Sequence, residues 1–295
     1  MKKRSLNSLV SRKGFVLFLV LIMIAVISSF LFSIYFLSTK SISKSESFRD
    51  YLVAYHAAVS AVKIGLETLE KDNNGYDGEG DDWSNPLVYN YRGIFLSVKI
   101  SDECGKLNVN KLIVPIYYKV AKRLFKNLEL NTDIVAAIKD WIDSDDIVTE
   151  SGAESYYYEG KGYKPSNKVM KSLYELLYVR GINNSNFKKL SRYLTVYGDG
   201  KINVNSAPKE LLLSLSKDMD EPAVDSIIEN RPIKKLEDLK KLPGFTDELY
   251  FSIKPMITNR CDYFKIEVTA SYGDSTVNIE AFTDRRNILE WKVVE

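Results

Sequence analysis

From Phe15 to Leu37 the chain runs without a charged residue and is interrupted only by Ser28, Ser29 and Ser33. At about 1.5 Å of rise per residue this stretch makes a helix of roughly 34 Å, enough for a bilayer core of about 30 Å. The pattern predicts a membrane span. Beyond it, apolar residues recur at Phe48, Leu52, Tyr55, Val59, Val62, Leu66 and Leu69. Alternating steps of four and three lay these on one stripe of a helix that continues out of the membrane. Asn73-Asn74-Gly75 marks its end. Unbroken from Phe15 to Lys71, such a helix is about 85 Å long.

The period then changes. Ile94, Leu96, Val98 and Ile100 alternate with Phe95, Ser97 and Lys99, as a half-buried strand does, and Leu107-Asn108-Val109-Asn110 continues the alternation. Helical stretches are expected over Tyr117 to Leu128, Thr132 to Ile142 and Asn167 to Tyr178, separated by Tyr-rich polar connections. Short strands return at Leu194 to Tyr197 and Lys201 to Asn205, and a helical block follows from Pro208 to Ile257. Phe264, Ile266, Val268, Ala270 and Tyr272 then alternate with polar residues up to Gly273-Asp274, and a second alternating strand through Phe282 completes a hairpin. Two strings recur: Leu107 to Asn110 as Ile202 to Asn205, and Leu173 to Gly181 as Leu236 to Gly244. The order predicts an α+β fold: a small antiparallel sheet against a long helix, with a large helical insertion.

Charge sets the orientation. The 295 residues carry 41 Lys and Arg against 39 Asp and Glu, with one His and two Cys. Lys2, Lys3, Arg4, Arg12 and Lys13 precede the span with no acid among them, and without these five the balance is 36 against 39. The basic flank places the N-terminus in the cytoplasm and everything after Thr39 outside. The apolar run is too long for a cleaved secretory signal. A single His, His56, excludes sites that need two imidazoles and receives no role.

Ser11-Arg12-Lys13-Gly14-Phe15, a basic leader ending in Gly before an apolar helix that begins with Phe, resembles the processing site of type IV pilins and pseudopilins. An ordinary signal anchor with a basic flank shares part of this pattern. The resemblance becomes specific over the strings Leu66 to Trp83, Ile100 to Asn110, Ile138 to Tyr158, Pro165 to Gly181 and Leu194 to Pro208. In this order they are similar to the minor pseudopilin K family of type II secretion systems.

That resemblance implies a pilin-like α+β fold divided into a leader (1–14), a transmembrane helix (15–37), its amphipathic continuation (38–71), a loop and strands (72–112), an inserted helical domain (113–192), a segment of short strands and helix-hairpin-helix-like turns (193–258), and closing strands (259–295). It also implies a non-enzymatic, single-pass inner-membrane protein with a periplasmic main domain. A prepilin peptidase would cut between Gly14 and Phe15, and Phe15 would be methylated. The implied partners are the I-type and J-type minor pseudopilins, the major pseudopilin and the inner-membrane assembly platform. Most pilins and pseudopilins carry Glu at the fifth position after cleavage, and the K family departs from this. Here that position is Leu19, which implies one copy at the filament tip. The alternative is a minor pilin of a type IV or competence system that binds DNA.

Two acidic groups are the candidate chemistry. Asp72, Asp77, Glu79, Asp81 and Asp82 precede a strand, while Asp140, Asp143, Asp145, Asp146, Glu150 and Glu154 follow a helix. Carboxylates this dense are solvated, protonated or bridged by a cation, and calcium takes six to eight such oxygens. Neither loop has the Gly of an EF-hand. Asp140, Asp143, Asp145, Asp146 and Glu154, with Asp72, Asp77, Glu79 and Asp81, are the candidate calcium ligands, a solvated acidic loop being the other reading. Asp143 and Asp145 also suit the spacing of a glycosidase pair, but nothing else indicates a cleft. Cys104 and Cys261 could form a disulfide outside the cell or remain two buried thiols. The turns Gly181-Ile182-Asn183 and Gly244-Phe245-Thr246 lack the second Gly of a phosphate-binding hairpin, so nucleic acid is not an expected partner.

Overall fold

The computed structural model describes residues 6–294, with side chains from Gly14 onward. Lys2, Lys3 and Arg4 of the leader lie outside the described residues. One helix, α1, runs unbroken from Leu6 to Lys71. Its most apolar 18-residue window has a mean hydropathy of 3.0, and none of that window is buried against the protein. The upper part of α1 crosses a five-stranded antiparallel sheet built from β1 (Leu87–Tyr91), β2 (Ile94–Asp102), β7 (Phe264–Tyr272), β8 (Ser275–Thr283) and β9 (Ile288–Val294), in the order β1-β2-β7-β8-β9. Chain between β2 and β7 forms the inserted body.

The expected stripe on α1 packs on the sheet from Tyr55 to Leu69, with Val62 and Leu69 buried, whereas Phe48 is 61% exposed, and Ala54, Ala58, Ala61 and Gly65 complete the buried face. Small residues let the helix axis approach the strands: a Cβ on Gly65 would come within 3.1 Å of Ile266 Cγ2. Larger side chains at Tyr55, Val59 and Leu66 rim this contact. Phe48 and Leu52 are left facing outward.

The inserted body holds β3 (Leu107–Asn108), α2 (Pro115–Asn127), α3 (Asp133–Ile142), α4 (Ser155–Glu159), α5 (Asn184–Leu190), β4 (Leu194–Thr195), β5 (Ile202–Asn203), α6 (Lys209–Ser214), α7 (Glu221–Glu229), α8 (Asp247–Ile253) and β6 (Ile257–Thr258). Its apolar core is one cluster reaching from Leu107 to Ile257, so the expected division at 192/193 does not separate two cores. The recurring strings are two copies of one unit. In the first, Asn108 Oδ1 accepts from Asn110 N, and the Asn110 amide exchanges two hydrogen bonds with the Met170 backbone, at 3.0 and 2.7 Å. In the second, Asn203 Oδ1 accepts from Asn205 N, and Asn205 exchanges the same pair with Ile233, at 3.2 and 2.7 Å. Each copy closes with a parallel strand pair, β3 with β4 and β5 with β6.

Other expectations need correction. The helix over Asn167 to Tyr178 shrinks to a 3-10 turn, Leu173–Tyr178. Asn167 has φ +46° and the Asn110 clamp fixes Met170, so no helix can begin earlier. The block from Pro208 to Ile257 breaks into three short helices and 3-10 turns, with Pro222, Pro232, Pro243 and Pro255 at or between them. The alternating pattern does not mark β1 or β9 individually. All of β1 is exposed, so no burial pattern is imprinted on it.

Candidate functional site

The two units meet at a polar joint. Cys104 and Cys261 form a buried disulfide with Cα atoms 5.6 Å apart. Beside it, Asp102 at the end of β2 accepts from Gly105 N at 3.1 Å and Ser206 Oγ at 2.6 Å, and also from Cys104 N and Asn203 Nδ2. Burial raises this carboxyl to about 6, against the pull of Ser206 and Asn203.

The first acidic group packs at this joint around a cation of the chain's own. Arg285 ion-pairs with the fully buried Asp77 and lies 3.3 Å from Asp72. The same guanidinium donates to Leu69 O, the last turn of α1, at 3.1 Å and to Cys261 O at 2.8 Å. Asp77 Oδ2 accepts from Cys261 N at 2.8 Å. Asp81 accepts from Asn74 Nδ2 and from Gly78 N. Asp72, Asp77 and Asp81 thus lie together, each offering an oxygen within 4.8 Å of the others, but hydrogen-bond donors already serve Asp77 and Asp81. Glu79 and Asp82 are exposed and outside the cluster.

The second group is built differently. Asp140 projects from the last turn of α3, and both its oxygens accept from Thr149 N at 3.1 Å. Asp143 follows α3, with Oδ2 3.3 Å from Lys139 Nζ. Glu154 precedes α4 and is 3% exposed. One oxygen from each lies within 4.8 Å of the others. Neither oxygen of Glu154 has a partner, nor does Asp143 Oδ1. Burial, followed by the Asp140 and Asp143 charges, pushes Glu154 up to about 8. Burial also raises Asp140 and Asp143.

The loop closes tightly over this group. A Cβ on Gly152 would fall 2.0 Å from Asp140 Oδ2, so only Gly fits there. Asn167 donates to Asp145 O at 3.0 Å and leaves its own buried Oδ1 without a partner. Asp145 and Asp146 are exposed; Asp146 Oδ1 caps Ser155 N at 3.0 Å. Glu150 pairs with Lys122 at 2.7 Å. Asp140, Asp143 and Glu154 present clustered hard oxygen donors with Lys139 beside Asp143, and this set fits a calcium ion. Asn167, whose side chain bonds Asp145 O beside this group, escaped sequence reasoning because it comes from a distant loop.

Gly14 and Phe15 lie within α1, Phe15 64% exposed and Gly14 free of any contact a Cβ would make. Leu19 is likewise exposed. Gly181 (φ +86°) packs on Ile134 and Gly244 (φ +82°) on Ala223, while Asn183 and Thr246 cap α5 and α8. Both hairpin-like turns are therefore engaged in internal packing.

Comparison with known proteins supplies the context. The family described as "Type II secretion system (T2SS), protein K" matches residues 105–199 and, with a second family model, residues 202–254. These are the two copies of the repeated unit. A "Type II secretion system protein K" of Pectobacterium carotovorum subsp. carotovorum is 27% identical over 215 residues, 66% of each chain. One from Klebsiella pneumoniae is 22% identical over 213 residues, 66% of this chain and 65% of that protein. The chain thus spans just under two thirds of the curated relatives it matches. A solved structure, the GspK-GspI-GspJ complex of the enterotoxigenic Escherichia coli Type 2 Secretion System, superposes with a TM-score of 0.73 at 17% identity, covering 85% of this chain and 99% of that one.

Proposed function

Because this chain belongs to the type II secretion system protein K family, we propose that it is a minor pseudopilin that starts the pseudopilus and remains at its tip. Its N-terminus lies in the cytoplasm, α1 anchors it in the inner membrane, and the folded domain lies in the periplasm. Prepilin peptidase removes the leader at Gly14 and Phe15 is methylated. The partners are I-type and J-type minor pseudopilins, which the similar complex contains, then the major pseudopilin and the assembly platform. No reaction is assigned to it.

One observation carries the tip reading. The turn between β7 and β8 lies beside the lower part of α1, where Ser275 Oγ donates to Ser47 O at 3.3 Å. The opposite end of the sheet, at Asp102 and Phe264, carries the inserted body. The bulk therefore sits on the end away from the span and obstructs a subunit stacked above. Leu19 supports the same reading, since it offers no carboxylate to a neighbour's terminal amine in an apolar bundle.

Calcium is proposed as a structural ion held by Asp140, Asp143 and Glu154. It would neutralise buried carboxylates and tie the loop between α3 and Asn167 to the body. Gold-labelled protein is expected only at filament ends, and Leu19→Glu is expected to leave processing at Gly14 intact while disturbing the order of incorporation. Label distributed along the shaft would refute the tip assignment.

A further inference from the structure

The two edges of the sheet are finished differently. Strand β9 carries Glu290 and Lys292, which bond Tyr197 Oη at 2.7 Å and Glu280 at 3.1 Å, so charge and contact guard that edge. Strand β1, Leu87-Val88-Tyr89-Asn90-Tyr91, has no charge and is exposed along its whole length. Leu87, Val88, Tyr89 and Tyr91 are each more than half exposed, at 51, 62, 53 and 51%. Tyr91 and Ile94 close a two-residue turn, so Leu87, Tyr89 and Tyr91 bond to β2, and the N–H and C=O of Val88 and Asn90 point to the open edge. An uncharged, unguarded edge is a template for another strand.

The surroundings identify what reaches it. Leu87, Tyr89 and Tyr91 pair with Val98, Leu96 and Ile94, so they extend the sheet face that α1 covers, beyond the reach of α1. At Ile94 this shelf joins an apolar groove on α1 lined by Phe48, Leu52, Val53 and Ala57. The turn at Arg92 and Gly93 packs beside Tyr272, next to the β7–β8 turn that contacts Ser47, so β1 ends near the membrane side of the domain. An occupant continuous with both surfaces must itself rise from the membrane beside α1.

We infer that β1 is the edge to which the globular domain of an adjacent membrane-anchored pseudopilin adds an uncharged strand, while that neighbour's helix lies against Phe48 and Leu52. This rests on the pseudopilin reading above. The test uses the full chain co-expressed with I-type and J-type minor pseudopilins and carrying a photo-crosslinking phenylalanine at Val88, Phe48 or Val293. Adducts to the same pseudopilin are expected from Val88 and Phe48 and not from Val293. Val88→Pro, which removes an edge donor without touching the β1–β2 bonds, and Val88→Lys, which adds a guarding charge, should each lower recovery of the complex at least tenfold with an unchanged melting curve. If Phe48 yields the adduct while Val88 yields none and both variants keep full recovery, the strand inference fails and the pseudopilin reading stands. If Phe48 gives none either, both fail. A Val88 adduct to a second copy or to an exported protein also overturns the inference.

Discussion

Asp72, Asp77 and Asp81 gather as closely as Asp140, Asp143 and Glu154, yet the two groups balance their charge in different ways. In the first, Arg285 brings a guanidinium to Asp77 and Asp72. In the second, three buried oxygens of Asp143 and Glu154 find no donor. An acidic cluster in sequence is therefore ambiguous, and the deciding quantity is the number of buried lone pairs the fold leaves unserved. The first cluster joins α1 to the strands; the second holds a loop that its sister copy lacks, since there α7 passes to the clamped Ile233 through Asn230, Arg231 and Pro232 alone.

Removing the internal cation should have the largest effect. Arg285→Ala leaves Asp77 buried and unpaired and should destabilise the domain by about 3–5 kcal/mol. Thermal melts of residues 40–295 should fall by roughly 10 °C, in calcium and in chelator alike. Equal stability of variant and parent would show that Asp77 does not need its partner.

Chelation should come next. A ligand at a hundred times its dissociation constant adds about 2.7 kcal/mol, so removing calcium should lower the melting temperature by several degrees. The Arg285→Ala protein should lose the same increment, because the clusters are independent. An unchanged melting curve, with no metal by elemental analysis, would refute the ion.

Glu154→Gln should act in opposite directions in the two conditions. In chelator it removes a carboxylate that burial and its neighbours disfavour, so stability should hold or rise; in calcium it removes a ligand, so stability should fall. Titration adds the sign. Glu154 has its folded value raised from 4.5 to about 8. The chelated protein therefore binds the extra proton in the folded state, and its stability should decline as pH rises from about 4.5 to about 8. Saturating calcium should remove that decline, and calcium affinity should rise over the same window. A stability profile in chelator that is flat across this window would contradict the assignment. Gly152→Ala should reduce calcium affinity, because its Cβ would displace the Asp140 carboxylate.

What the sequence discloses follows the range of the interactions. The span, α1, β2 and the β7–β8 hairpin are set by local periodicity and were legible. The Asn110 and Asn205 clamps left a trace as the recurring Asn-Val-Asn string, although the backbone they grip is not visible in it. Arg285 lies 208 positions from Asp77, and no spacing rule connects them. Asn167 looked like the start of a helix because composition cannot reveal its positive φ. Ala54, Ala58, Ala61 and Gly65 on the packing face of α1 are not legible in the pattern, because large residues outweigh Ala and Gly in hydropathy while close contact with a sheet favours the small ones.

The most direct test is a calcium titration of the metal-free domain by calorimetry, in the parent, Glu154→Gln and Asp81→Asn proteins. The parent and Asp81→Asn should bind calcium alike, and Glu154→Gln should show no binding. Binding that survives Glu154→Gln, or disappears with Asp81→Asn, would place the ion in the wrong cluster and contradict the account.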